Sequence, residues 1–199
     1  MLCLQHGLRH ICRKKRNQTR LQTARSQLYD FQMKIKEHKI PVIVLFEGWG
    51  SSGKGSTIGK VIKNIDPRFF KVATMSAPTA EELRYPFLYR YFKQIPEAEN
   101  LHFWIPAGWS RLVKTVCRAR LKAKVIHSGL TASVVFERQL TDNGYLVLKF
   151  FMQIDRDEQK RREKLLLDHK DTRWRVSDFD KWQNEHYKKM CKNIFSVSV

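Results

Sequence analysis

Residues 48–57 bring glycines, one lysine and several hydroxyl groups together in a short segment. Gly48 and Gly53-Lys54 are spaced as Gly-x4-Gly-Lys, and Gly55 stands where a serine or threonine is usual. Glycines let successive backbone N–H groups face one concavity, which binds anions when a helix begins beside it. The spacing therefore predicts a phosphate-binding loop in which Lys54 reaches the outer phosphates. The predicted contacting residues are Gly48, Gly50, Ser51, Ser52, Gly53, Lys54, Gly55 and Ser56.

The segments on either side of this loop have the character that such a loop needs. The β-branched apolar run at 42–46 predicts a strand buried on both faces, and residues 57–64 are compatible with a helix. Glycine-rich loops also occur as plain turns. A strand before the loop, a lysine inside it and a helix after it favour phosphate binding over that alternative.

Hydrophobic periodicity places further strands and helices around this unit. Apolar residues recur at three- and four-residue steps over 19–37, as in an amphipathic helix. Strands are expected over 71–75 and 145–152, and helices over 132–140 and 157–169. Thr79 and Ser177 have the character of helix N-caps, each with acidic residues in the turn that follows. Strands that alternate with helices predict an α/β fold with a mainly parallel sheet.

Charge and composition limit the kinds of partner. The chain has 199 residues and a formal net charge of +19, which favours a polyanion. The charge is concentrated in residues 1–40 and 100–136, so nucleic-acid binding, which rests on charge alone, is the least favoured function. No apolar run approaches the roughly 18 residues of a membrane span, the first residues lack the order of a signal peptide, and the four cysteines lack metal-ligand spacing. We therefore expect a cytoplasmic protein with reduced thiols and no membrane contact.

Several motifs resemble those of the polyphosphate kinase 2 family, in the same order along the chain. The most specific are the loop Phe46-Glu-Gly-Trp-Gly-Ser-Ser-Gly-Lys-Gly55, the segment Phe136-Glu-Arg138 and the segment Arg173-Trp-Arg-Val-Ser177. Together the matching motifs cover about residues 20–97 and 134–195. The Gly-Trp-Gly form of the loop looks most like one half of the two-domain members, which resemble polyphosphate:AMP phosphotransferases.

This resemblance implies a P-loop NTPase or kinase-like fold of three layers with a helical lid. The family moves a terminal phosphoryl group between inorganic polyphosphate and a nucleotide with Mg²⁺, and the resemblance also implies a homo-oligomer. It implies that Lys54 holds phosphates and that Arg138 and Arg173 are catalytic residues on or near the lid. The alternative for both arginines is an ordinary place on a helix surface.

Two positions depart from the family pattern where metal binding is concerned. Gly50 stands where active members have an aspartate in the loop, and Ile105 stands where the family has the acid that follows a strand. The sequence therefore identifies no metal ligand. Residues 98–133 lack the resemblance and are mostly basic, which fits either a diverged segment or a reading-frame shift in the gene.

These observations predict a basic arm over residues 1–18 and a polyphosphate kinase 2-type domain over 19–199, with 175–199 as a truncated C-terminal helix. The predicted function is phosphoryl transfer between inorganic polyphosphate and AMP or ADP, with weak or absent catalysis by this chain alone because the acids are missing. One alternative is a non-catalytic domain that binds phosphate polymer beside a competent half. The other is a nucleoside monophosphate kinase of the thymidylate kinase type, which shares the opening of the loop.

Overall fold

Four parallel strands form the sheet at the centre of the protein. The computed structural model describes residues 14–75, 79–106 and 123–196. The strands are β1 (Val42–Gly48), β2 (Phe70–Met75), β3 (Leu101–Pro106) and β4 (Leu146–Met152), in the order β2-β3-β1-β4. Val42 of β1 lies opposite Leu101 of β3 and Leu146 of β4. Because the pairings are parallel, the carboxyl ends of the strands meet at one edge of the sheet, where α/β proteins bind ligands.

Helices and short turns connect the strands. The α-helices are α1 (Lys14–Glu37), α2 (Lys54–Val61), α3 (Tyr89–Phe92), α4 (Ala123–Asp142), α5 (Arg156–Asp168), α6 (Asp178–Glu185) and α7 (Tyr187–Ser196). Short 3-10 turns lie at Ile62–Asn64, Pro67–Phe69, Glu82–Arg84 and Arg173–Arg175. Among these described segments, no helix combines the length and the apolar character that crossing a bilayer requires.

Alternate side chains of the strands build an apolar layer on each face of the sheet. On one face Phe46 and Phe103 pack with Ile58 of α2, and α1 contributes to the same cluster. On the other face Trp104 packs with Phe136 of α4. Helices therefore cover both faces, and the predicted three-layer α/β fold with a parallel sheet is confirmed.

The first helix after the loop begins earlier than the sequence predicts. Helix α2 starts at Lys54, three residues before the predicted start at residue 57. The backbone of Gly53 has φ 94°, a left-handed conformation that favours glycine, and it directs the chain into the helix at once. The phosphate-binding segment 48–56 therefore includes the first turn of α2, which begins at Lys54.

Two predicted N-caps have different outcomes. Thr79 and Glu82 exchange the hydrogen bonds of a capping box, but only the 3-10 turn Glu82–Arg84 follows. Tyr85 precedes Pro86, and a residue before proline is disfavoured in helical conformation. Ser177 does cap a helix, but the expected single C-terminal helix is two helices, which meet at His186.

The structure describes only part of the two segments that lie outside the family resemblance, residues 1–18 and 98–133. Strand β3 and the beginning of α4 fall within residues 98–133, and β3 pairs with strands on both sides. Residues 107–122 and 1–13 lie outside the described residues, while residues 14–18 of the predicted arm belong to α1. The proposed divergence or frame shift, and the division into arm and domain, stay predictions.

Candidate phosphate-binding site

Two glycines give the loop between β1 and α2 its shape. Gly48 has φ 123°, and a Cβ on it would overlap the backbone of Met152 in β4, 2.7 Å from the nitrogen and 2.8 Å from the carbonyl carbon. Gly53 caps α2 without a side chain, and no side-chain hydrogen bond caps this helix within the described part of the chain. The first N–H groups of a helix have no partner inside the helix. The N-terminus of α2 is therefore arranged to receive an anion.

Lys54 folds back onto the loop. Its Nζ donates hydrogen bonds to the backbone oxygens of Trp49 at 2.6 Å and Gly48 at 3.1 Å, and lies 3.5 Å from the Ser52 hydroxyl. Burial lowers the pKa of Lys54, while Asp180 and Glu47 act to raise it. The ammonium group thus lies beside the helix N-terminus, and its present partners are neutral carbonyls that a phosphate can replace.

The indole of Trp49 attaches the loop to the C-terminal helices. Trp49 is 1% exposed, and its ring stacks on Tyr187 of α7 at 4.2 Å between centroids. Its Nε1 donates to the side-chain oxygen of Gln153 at 2.8 Å, and the Gln153 amide donates to the Tyr187 hydroxyl at 2.9 Å. Met190 completes this cluster. The Gly-Trp-Gly tryptophan is therefore a packing residue that joins the loop to α7.

A buried amide network holds the next residue of the loop. The backbone N–H of Gly50 donates to the Gln183 side-chain oxygen at 2.7 Å, and Gln159 of α5 donates to the same oxygen at 3.4 Å. Asn184 in turn donates to the Gln159 side-chain oxygen at 3.2 Å. All three side chains are buried. Buried polar groups that satisfy one another rigidify what they contact, so α5 and α6 fix the loop at Gly50.

Arg162 of α5 binds backbone oxygens of the loop. Its Nη1 donates to the backbone oxygens of Ser52 at 3.2 Å and Ser51 at 3.4 Å. Its Nε donates to Glu158 at 2.6 Å, which sets the direction of the guanidinium. From the sequence, the basic residues 160–162 are most simply a solvated face that could flank a polyanion channel. One of those residues, Arg162, instead contacts the loop, and Glu158 does not single it out because it also pairs with Arg161.

Glu47, the residue before Gly48, is a carboxyl group in an apolar setting. Desolvation raises its pKa to about 8; Glu137 adds to this, and Lys149 and Lys54 oppose it. Its Oε1 is buried without a hydrogen-bond partner among the described residues, while Lys149 forms its salt bridge with Glu137. At neutral pH Glu47 is therefore mostly uncharged, and it does not add an anion next to the phosphate site.

Each of the two predicted catalytic arginines binds a residue outside the loop. Arg138 lies on the surface of α4 with its side chain 80% exposed, 3.5 Å from Asp142 one turn later. Arg173 donates from Nε to the backbone oxygen of Leu167, and so binds the C-terminal end of α5. Their place on or near a lid and their catalytic role both stay predictions.

The positions expected to carry magnesium ligands do not fit a metal ion. Gly50 has no side chain, and Ile105 of β3 packs against the apolar cluster that contains Phe46 and Ile58. Within residues 14–75, 79–106 and 123–196, no three His, Cys, Asp or Glu residues are grouped as metal ligands would be. The acidic, histidine and cysteine side chains of the described residues therefore do not form a resident Mg²⁺ site.

The fold and the loop define the class of protein. A central strand that runs through a glycine loop into the N-terminus of a helix, inside a parallel sheet, is the P-loop kinase-like fold. The structure resembles a crystal structure of polyphosphate kinase 2 from Arthrobacter aurescens TC1 with a TM-score of 0.82 and 22% sequence identity. That match covers 89% of this chain and 64% of the other.

This chain belongs to the polyphosphate kinase 2 family, because the family model described as Polyphosphate kinase 2 (PPK2) matches residues 11–196. The polyphosphate:AMP phosphotransferase of Pseudomonas syringae pv. tomato is 29% identical over 173 residues, which are 86% of this chain and 35% of that protein. The AMP/ADP-polyphosphate phosphotransferase of Meiothermus ruber is 30% identical over 139 residues, 70% of this chain and 51% of that protein. The chain spans about a third of the length of the first curated relatives it matches.

Proposed function

We propose that the loop at residues 48–56 binds the terminal phosphates of inorganic polyphosphate, and that the chain moves a phosphoryl group between this polymer and AMP or ADP. The observation that carries the proposal is the placement of Lys54 beside the uncapped N-terminus of α2. The names of the Pseudomonas syringae and Meiothermus ruber relatives support polyphosphate and adenine nucleotides as the two substrates.

Phosphoryl transfer depends mainly on positioning and on neutralising charge. We expect the amides at the start of α2 to hold equatorial phosphate oxygens while Lys54 turns from the Trp49 and Gly48 carbonyls toward the phosphate. Arg162 and Gln183 keep the loop in place during this change, since they bind its backbone and not the Lys54 side chain. A divalent cation would depend on hydroxyl groups, water and phosphate oxygens, because the described residues include no cluster of His, Cys, Asp or Glu that could hold it.

A second candidate function is a non-catalytic domain that binds phosphate polymer. The specific observation in its favour is that residues 50 and 105 lack the carboxylates that the family pattern has there. Both candidates predict binding of polyphosphate at Lys54, and they differ in turnover. Self-association of the chain also stays a prediction.

The test measures polyphosphate binding by calorimetry and phosphoryl transfer to AMP and ADP with Mg²⁺. Lys54→Ala is compared with Lys60→Ala, which removes an exposed lysine from the last turn of the same helix. We expect binding that is lost in Lys54→Ala and kept in Lys60→Ala. Turnover would support the transferase, and binding without turnover would support the non-catalytic domain. Equal binding by both variants would overturn both functions.

A further inference from the structure

Asp180 of α6 lies against the loop where residue 50 has no side chain. A Cβ built on Gly50 would stand 2.7 Å from Cγ and 2.9 Å from Cβ of Asp180, and would overlap its Oδ1. Real Cβ atoms essentially never approach a neighbour within 3.0 Å. The carboxyl group of Asp180 therefore fills the space that a side chain on residue 50 would need.

The capping box of α6 fixes the carboxylate in this place. Its Oδ2 accepts hydrogen bonds from the Ser177 backbone nitrogen at 2.8 Å and from the Ser177 hydroxyl at 2.7 Å. Gln183, on the same helix, accepts the Gly50 N–H. Asp180 cannot rotate away without breaking the helix cap, so its side chain and any side chain on residue 50 exclude each other.

Asp180 also acts on the lysine of the loop. The acidic groups whose charge acts on Lys54 are Asp180 from α6 and Glu47 from β1, and both act to raise the Lys54 pKa against burial. From α5, Arg162 contacts the carbonyl side of the loop. Because burial keeps Glu47 mostly uncharged at neutral pH, Asp180 is left as the main negative charge acting on Lys54.

We propose that Asp180 is a positioning residue that supplies from α6 the carboxylate that residue 50 does not carry, as the counter-charge of Lys54. The loop then has space for one carboxylate, and in this chain Asp180 of α6 provides it. The geometric part of the proposal stands on the Gly50 contact alone, and its bearing on polyphosphate rests on the proposed function.

A double-mutant cycle tests the exclusion between the two positions. Gly50→Asp puts a carboxylate on the loop, and Asp180→Gly removes the one that occupies its space. We expect Gly50→Asp to lower the melting temperature strongly with Asp180 present and much less with Asp180→Gly, which is non-additive. The matched control replaces the exposed Asp178 of the same turn, and Gly50→Asp with Asp178→Gly should be additive. Additive effects in both cycles would overturn the proposal.

A second measurement reports the charge itself and needs no polyphosphate. Asp180→Asn keeps the shape and an oxygen acceptor for Ser177 but removes the negative charge that acts on Lys54. We expect the neutral amine fraction of Lys54 at a fixed pH to rise severalfold, because the charge of Asp180 favours the ammonium form and its removal lowers the Lys54 pKa further. The readout is the rate of Lys54 acetylation against pH, followed by mass spectrometry of the peptide.

Asp178→Asn removes the same charge from the same helical turn and should leave the Lys54 profile unchanged. An unchanged profile in Asp180→Asn, or an equal change in both variants, would overturn the proposal. If Lys54→Ala leaves polyphosphate binding intact, the proposed function fails, while the cycle and the acetylation profile still decide the role of Asp180.

Discussion

The side-chain oxygen of Gln183 lies 2.7 Å from the backbone nitrogen of Gly50, 133 residues earlier in the sequence. The same oxygen also receives the Gln159 amide, so α5 and α6 meet at the loop through one acceptor. An amide side chain can do this without adding charge beside the phosphate site. The shape of the loop is therefore set by its glycines and by two helices that follow β4.

Replacing Gln183 by alanine leaves the Gly50 and Gln159 amides without this acceptor in a buried place. We expect a loss of about 1–3 kcal/mol in the free energy of unfolding, because unsatisfied buried donors cost about that much. Urea denaturation measures it, with Gln139→Ala on an exposed position of α4 as the control, expected within about 0.5 kcal/mol of the parent protein. Equal stability of the two variants would contradict the network.

Arg162→Lys tests the contact between Arg162 and the backbone oxygens of the loop. A lysine is a single point charge and cannot serve Ser51, Ser52 and Glu158 together as the guanidinium does. We expect polyphosphate binding about tenfold weaker, which corresponds to about 1.4 kcal/mol. Arg161→Lys is the matched control, since Arg161 pairs with the same Glu158 and its side chain is 60% exposed. Equal binding by the two variants would show that the contact with the loop is dispensable.

The contrast between Lys54 and Arg162 shows what the sequence could predict. The lysine lies inside a local pattern, so its spacing from Gly48 and Gly53 was enough to place it beside the helix N-terminus. The position of Arg162 depends on α5 packing against a loop 110 residues earlier, and no local spacing encodes that contact.

Asp180 is an intermediate case. Ser177 and the acids after it predicted a helix N-cap, which is confirmed, but they did not indicate that the other carboxylate oxygen would meet Gly50. Similarly, the sequence shows that residue 50 lacks the carboxylate of the family pattern. The structure adds that Asp180 leaves no space for a side chain there. The roles of Asp180 and Gly50 depend on tertiary contacts, which their local sequence does not reveal.

Glu47 should make stability depend on pH. Burial raises its pKa from 4.5 to about 8, so the folded protein keeps a proton that the unfolded chain releases. Between these values the folded state binds more protons, and the free energy of unfolding therefore falls as pH rises and levels off above about pH 8. Glu47→Gln stays uncharged, so we expect its advantage over the parent protein to be smallest near pH 4.5 and to grow up to about pH 8.

Chemical denaturation of both proteins at several pH values in this window measures the difference. The exposed Glu81 provides the control, and Glu81→Gln should follow the parent protein at each pH. A constant difference between Glu47→Gln and the parent protein would contradict a raised pKa at Glu47.

Arg138→Ala separates a catalytic arginine from an ordinary surface arginine. The ion pair with Asp142 is exposed on both sides, so its loss should change the free energy of unfolding by less than about 0.5 kcal/mol. If Arg138 stabilises transferred charge, the rate of phosphoryl transfer falls about a hundredfold or more. Asp142→Ala removes the same ion pair and keeps the arginine, so it should keep the rate. Equal rates for the two variants would place Arg138 on the surface only.

An acid introduced at residue 105 should lower the free energy of unfolding, whether or not it binds a metal ion. Ile105 packs against the apolar cluster around Phe46 and Ile58, where an ionised carboxylate loses hydration. We expect Ile105→Asp to lower the free energy of unfolding by about 3 kcal/mol, against about 1 kcal/mol for the apolar control Ile105→Val. Denaturation gives both numbers, and calorimetry with Mg²⁺ shows whether the new acid binds a metal. An Ile105→Asp protein as stable as Ile105→Val would mean that residue 105 tolerates an acid, and the packing argument would then be wrong.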